Sequence, residues 1–98
     1  MRLNQTDNPD ALNVLVVDDT TVNLKLLTEI LADEGYVVRP ATNGKLALRS
    51  VKAKLPAIIL LDVSMPEMDG YEVCHHLKAD LNTSHIPVIF ISALDGEH

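Results

Sequence analysis

Residues 12–19 read LNVLVVDD, a short apolar run rich in valine that closes on two carboxylates, Asp18 and Asp19. A run this uniformly apolar suits a strand buried on both faces, as in a parallel sheet covered by helices. The same device recurs downstream. Residues 57–62, AIILLD, form a still more apolar run that closes on Asp62, which predicts a central strand. YVVRPA at 36–41 and PVIFIS at 87–92 supply two more, Pro87 standing at a strand start where a missing amide donor is tolerated.

Each gap between these runs carries helical periodicity. After Thr20 or Thr21 as N-cap, Val22, Leu26 and Ile30 recur at four-residue spacing, Leu24, Leu27 and Leu31 widen the stripe, and Gly35 stops the helix. Asn43-Gly44 opens a second helix with Ala47, Leu48, Val51 and Leu55 on its inner face, and Pro56 closes it. The third places Val73, Cys74, Leu77 and Leu81 on its buried side. Strands joined by single helices specify an α/β, doubly wound parallel sheet with right-handed crossovers.

Composition narrows the function classes. At 98 residues and 47% apolar content the chain has room for one core. The polar, aperiodic segment 1–11 is expected to be a flexible leader, with the folded part at 12–98. No apolar run approaches the ~20 residues of a membrane span, and residues 1–10 lack a signal-peptide pattern, so a cytoplasmic protein is expected. A formal charge of −6 argues against direct nucleic-acid binding. Lys45, Arg49, Lys52 and Lys54 interleave with apolar residues and read as the solvated face of a helix. Cys74, the single cysteine, reads as a buried thiol packed in a helix.

The chemistry sits at the strand ends. Ligands of open parallel sheets bind beyond the carboxyl ends of the strands, near the point where strand order reverses. If the first and third strands are neighbours, Asp18, Asp19 and Asp62 converge there, and their repulsion calls for a cation or a shifted protonation state. Hard oxygen ligands with room for water suit magnesium. A lone aspartate at such a place is more often a helix N-cap or turn residue, but three on two strands point to a metal site. Met65 and Met68 read as loop packing. His75 and His76, about 100° apart on a helix, share no face.

The order VLVVDD, IILLD, MPEMDGYE, PVIFISA resembles the CheY-like receiver family of two-component response regulators across residues 13–93. The resemblance implies a flavodoxin-like strand order 2-1-3-4, with the family's fifth strand and its flanking helices absent from this chain. It makes Asp62 the acceptor of a phosphoryl group from a histidine kinase or phosphotransfer protein. Asp19 would bind Mg2+ directly, Asp18 mostly through water, and Ser64 through its backbone carbonyl, with Asp62 completing the set. Ser92 matches the family's switch hydroxyl, while Pro66 and Gly70 shape the loop after the acceptor. Such a domain is no conventional enzyme beyond promoting its own aspartyl phosphorylation and dephosphorylation, and it controls an output domain in a longer chain.

The text ends at His98, before the family's Lys-Pro pair, and so reads as a fragment or a truncated receiver. A homodimer or larger assembly is expected if the chain exists alone, through pairing at the open edge of the last strand or exchange of elements. The alternative function is a phosphorylation-independent receiver-like dimerisation or interaction module. A dinucleotide-binding domain would need G-x-G-x-x-G where Asp-Asp-Thr stands, and a phosphatase of the haloacid dehalogenase type would need an aspartate at Ser64.

Overall fold

The computed structural model describes residues 12–91. Four strands, β1 (Asn13–Val17), β2 (Val37–Ala41), β3 (Ile58–Asp62) and β4 (Val88–Ile91), alternate with three helices, α1 (Thr21–Asp33), α2 (Gly44–Ala53) and α3 (Gly70–Ala79). The sheet is parallel throughout, in the order β2-β1-β3-β4. This is the architecture the sequence predicts. After β2 the chain crosses to the other side of β1, so the order reverses between β1 and β3.

Side chains alternate across β1, and each face serves a different core. Leu15 and Val17 join Ile59, Leu61, Ala47, Val51, Val73 and Leu77 beneath α2 and α3. Val14 and Val16 point the other way, to Leu24, Leu27, Leu31, Tyr36 and Leu60 around α1. Complete burial of Leu15, Val16 and Val17 explains why the run contains almost nothing polar.

Helix boundaries follow local chemistry. Gly35, at φ +98°, ends α1: its amide donates to the Ala32 carbonyl and the Tyr36 amide to the Leu31 carbonyl, a left-handed terminus that glycine adopts without strain. Asn43 caps α2 by accepting from the Leu46 amide at 2.9 Å. Thr20 is the residue before α1, yet its side chain makes no capping bond. Arg39 ties the edge strand β2 to the end of α2, donating to the Ser50 carbonyl at 3.2 Å, the Lys54 carbonyl, 2.6 Å away, and Asn13 Oδ1. Burial lowers the pKa of this guanidinium below its ordinary value.

Three helix-face expectations are corrected. In α1 the buried side is Leu24 with Leu27 and Leu31, while Val22, Leu26 and Ile30 are exposed. At about 100° per residue the two sets lie on roughly opposite sides of the helix, and packing against β1 selects one of them. Leu55 and Leu81 leave the buried stripes because α2 ends at Ala53 and α3 at Ala79, and both leucines are exposed. Cys74 is half-buried against the core rather than enclosed. The basic residues Lys45, Arg49, Lys52 and Lys54 are exposed, as expected of a solvated face. The proposed leader 1–11 and Ser92 lie outside the described residues.

Candidate functional site

Asp18 and Asp62 leave the ends of β1 and β3 side by side, at the reversal of strand order. The register Val17↔Leu61 aligns the strands, so the residue following each points into the same crevice. One carboxylate oxygen from each of Asp18, Asp19 and Asp62 lies within 4.8 Å of the others. Asp18 is 1% exposed and Asp62 4%, whereas Asp19 faces solvent.

The buried carboxylates are held by the chain around them. Asp18 Oδ1 accepts from the Thr20 amide at 2.9 Å, and Asp18 Oδ2 from the Asn23 side-chain amide at 3.3 Å. Asp62 Oδ1 accepts from the Ser64 amide at 3.2 Å. Burial raises the pKa of Asp62 to about 6, the Ser64 amide works against the rise, and the charges of Asp18 and Asp19 add to it. Among the described residues no cation contributes to this balance. Two buried carboxylates and one exposed one, all-oxygen and open to water on one side, fit a small hard divalent cation better than a soft metal.

The loop from Asp62 to α3 is tightly constrained. Asp69 accepts from the Glu72 amide at 2.9 Å, and Glu72 Oε1 accepts from the Asp69 amide at 3.1 Å, a reciprocal cap that fixes the start of α3. The Gly70 amide donates to the Val63 carbonyl at 2.9 Å. A Cβ on Gly70 would strike the Asp62 carbonyl oxygen and lie 2.9 Å from Val63 Cα, both immovable backbone. Gly70→Ala is therefore expected to destabilise the fold by about 1–3 kcal/mol, the usual range for overpacking. Urea denaturation checks this, and an unchanged midpoint would contradict the close approach. Pro66 opens a γ-turn, with the Met68 amide donating to the Pro66 carbonyl at 2.8 Å around Glu67 at φ +70°.

Of the other residues singled out by sequence, Met65 is buried in the core and Met68 packs against it. His75 and His76 are both exposed. Three contributors were missed. The D-x-x-E spacing of Asp69 and Glu72 is a legible capping signal. The Thr20 amide leaves no mark in side-chain chemistry. Asn23, five residues past Asp18 in the first turn of α1, looks like an ordinary polar helix residue.

Comparison with known proteins agrees with this geometry. The family described as the response regulator receiver domain matches residues 14–98. The chain is similar to the response regulator PleD of Caulobacter vibrioides, at 53% identity over 83 residues, covering 85% of this chain and 18% of PleD. It is similar to the polar-differentiation response regulator DivK of Brucella anthropi, at 37% identity over 81 residues, covering 83% of this chain and 66% of DivK. Among solved structures, the signal receiver domain of a histidine kinase from Syntrophus aciditrophicus superposes with a TM-score of 0.81 at 38% identity, covering 86% of this chain and 64% of that one. The chain thus spans less than a fifth of PleD. The crossed parallel sheet, the acidic crevice at its switch point and these matches lead to one assignment: the chain belongs to the response regulator receiver domain family.

Proposed function

We propose that Asp62 accepts a phosphoryl group from a phosphohistidine on a kinase or phosphotransfer protein. The convergence of Asp18, Asp19 and Asp62 within 4.8 Å carries this reading. The receiver family already assigns the chain to two-component signalling. The donor and acceptor roles are the finer step.

In the transfer, an oxygen of ionised Asp62 forms the new bond to phosphorus. The bond from phosphorus to the donor imidazole nitrogen breaks, and its electron pair stays on the imidazole. A raised pKa keeps Asp62 a relatively basic nucleophile that is still mostly ionised near neutral pH. The Ser64 amide restrains rotation of the carboxylate. Asp18, Asp19, Asp62 and the Ser64 backbone carbonyl would hold Mg2+. When bound, Mg2+ would neutralise charge between the carboxylates and the phosphoryl oxygens and hold attacking and leaving groups in line. The added charge would then be read by Ser92, in the family's switch position, to alter the surface offered to an output domain.

Phosphoramidate or acetyl phosphate with Mg2+, followed by intact-mass measurement, tests the reading. A phosphoryl adduct lost on acid-base treatment that cleaves acyl phosphates is expected; a chain that stays unlabelled would favour the phosphorylation-independent interaction module. No helix among the described residues is long and apolar enough to cross a membrane, and a cytoplasmic site of action belongs to the same proposal on the ground of membership in the receiver family. So does a homodimer through β4, whose Ile89 and Phe90 are exposed. Concentration-dependent light scattering should show association that Ile89→Lys weakens, and a monomer at every concentration would refute it.

A further inference from the structure

Asn23 occupies an unusual place. It sits half-buried in the first turn of α1, a position where asparagine is a weaker helix former than leucine. Its side-chain amide is directed at Asp18 Oδ2, 3.3 Å away, while the Thr20 amide holds Oδ1 at 2.9 Å. The two bonds engage opposite oxygens of one carboxylate that is 1% exposed. They therefore fix both its position and its rotation. With the Thr20 bond alone, rotation about the Cβ–Cγ axis would be restrained through one oxygen only, leaving Oδ2 a wider swing.

That rotation matters to a cation in the crevice. Magnesium demands near-octahedral ligands at short distance, whereas calcium accepts more ligands in a looser arrangement, including both oxygens of one carboxylate. A carboxylate locked by two donors suits the first ion. A carboxylate free to turn can offer both oxygens and suits the second.

We propose that Asn23 is a positioning residue, which locks the Asp18 carboxylate from α1 and so biases the acidic crevice toward Mg2+ over Ca2+. The inference rests on the reading of the crevice as a cation site. It adds a residue outside the three carboxylates and a specific consequence, the choice between ions.

Asn23→Leu isolates the effect, because leucine matches the branching of asparagine, favours the helix and removes only the amide. Titrations of the 98-residue chain with Mg2+ and with Ca2+, followed by amide chemical shifts, give the affinities. Asn23→Leu should weaken Mg2+ binding about tenfold, the low end for loss of a partner that orients a metal ligand. Ca2+ binding should fall by much less, and thermal stability should fall modestly, because the buried Asp18 oxygen loses a donor that leucine cannot replace. Asn23→Gln, which keeps the donor on a longer stem, should recover part of the Mg2+ affinity. Unchanged affinity for both ions in Asn23→Leu would overturn the proposal, as would equal losses for both. If the unaltered chain bound neither ion, the cation reading itself would fail and take the inference with it. Asp19→Asn separates the cases, since its loss of Mg2+ binding beside an unaffected Asn23→Leu would spare the site and reject only the role of Asn23.

Discussion

Asp62→Asn is expected to abolish phosphoryl labelling and, in the absence of metal, to make the fold more stable. Both effects come from the same carboxylate. An amide has no anionic oxygen to attack phosphorus, so the adduct should vanish. The stability effect follows from linkage. The folded-state pKa of Asp62 is raised to about 6 from an ordinary 3.8, so between those values the native state binds more protons than the unfolded chain. Stability therefore falls as pH rises through that window, and the penalty is complete above it. A shift of this size corresponds to at most about 3 kcal/mol, and screening through the open side of the crevice reduces it to about 1–2 kcal/mol. Asparagine carries no such penalty. Urea melts in chelator should show the variant ahead by that margin at about pH 7.5 and level with the unaltered chain near pH 4. Added Mg2+ should then stabilise the unaltered chain far more than the variant, since binding to the folded form raises its stability by mass action. A variant less stable than the unaltered chain above pH 6 would contradict the account, because it would mean that the ionised Asp62 is favourable where it lies.

The second large effect concerns Asp19. This carboxylate is exposed and plays no part in either core, so Asp19→Asn should leave the fold intact. It nevertheless provides one of the three converging oxygens. Removing a charged ligand lowers both coordination and attraction, and Mg2+ affinity should drop at least tenfold, about 1.4 kcal/mol. In the unaltered chain, the amides of Asp18, Asp19 and Ser64 should shift on Mg2+ addition, and in the variant the same shifts should need far more metal. No shift in the unaltered chain at millimolar metal would remove the site.

The sheet and the three acids were legible because their signals are local and repeated. VLVV and IILL are short, bounded and almost wholly apolar, as a doubly covered strand requires, and each closes on aspartate at the end where such folds bind ligands. The orientation of α1 was less legible. Leucine, isoleucine and valine populate both of its sides, so periodicity reads them as one wide stripe, and only contact with Val14 and Val16 narrows the buried part to Leu24, Leu27 and Leu31. Leu55 and Leu81 illustrate a related limit: each continues the helical spacing past the residue where the helix stops. Asn23 could not have been found by composition or spacing, because its role depends on one bond across the turn from β1 to α1. Neighbour relations between strands are the deeper reason. Asp18 and Asp62 are 44 positions apart, and the sequence alone makes their meeting conditional on the adjacency of β1 and β3.

The two-sided burial of β1 reaches beyond packing. Because Leu15 and Val17 belong to one core and Val14 and Val16 to the other, a one-residue slip of this strand against its neighbours would exchange the two sets. The same event would move Asp18 by one strand position and turn its carboxylate to the opposite face. Accuracy in the crevice is thus inherited from the cores: an alignment error large enough to spoil the site would first have to dismantle both sides of the sheet. The acidic cluster is, in this sense, proofread by the strand that carries it.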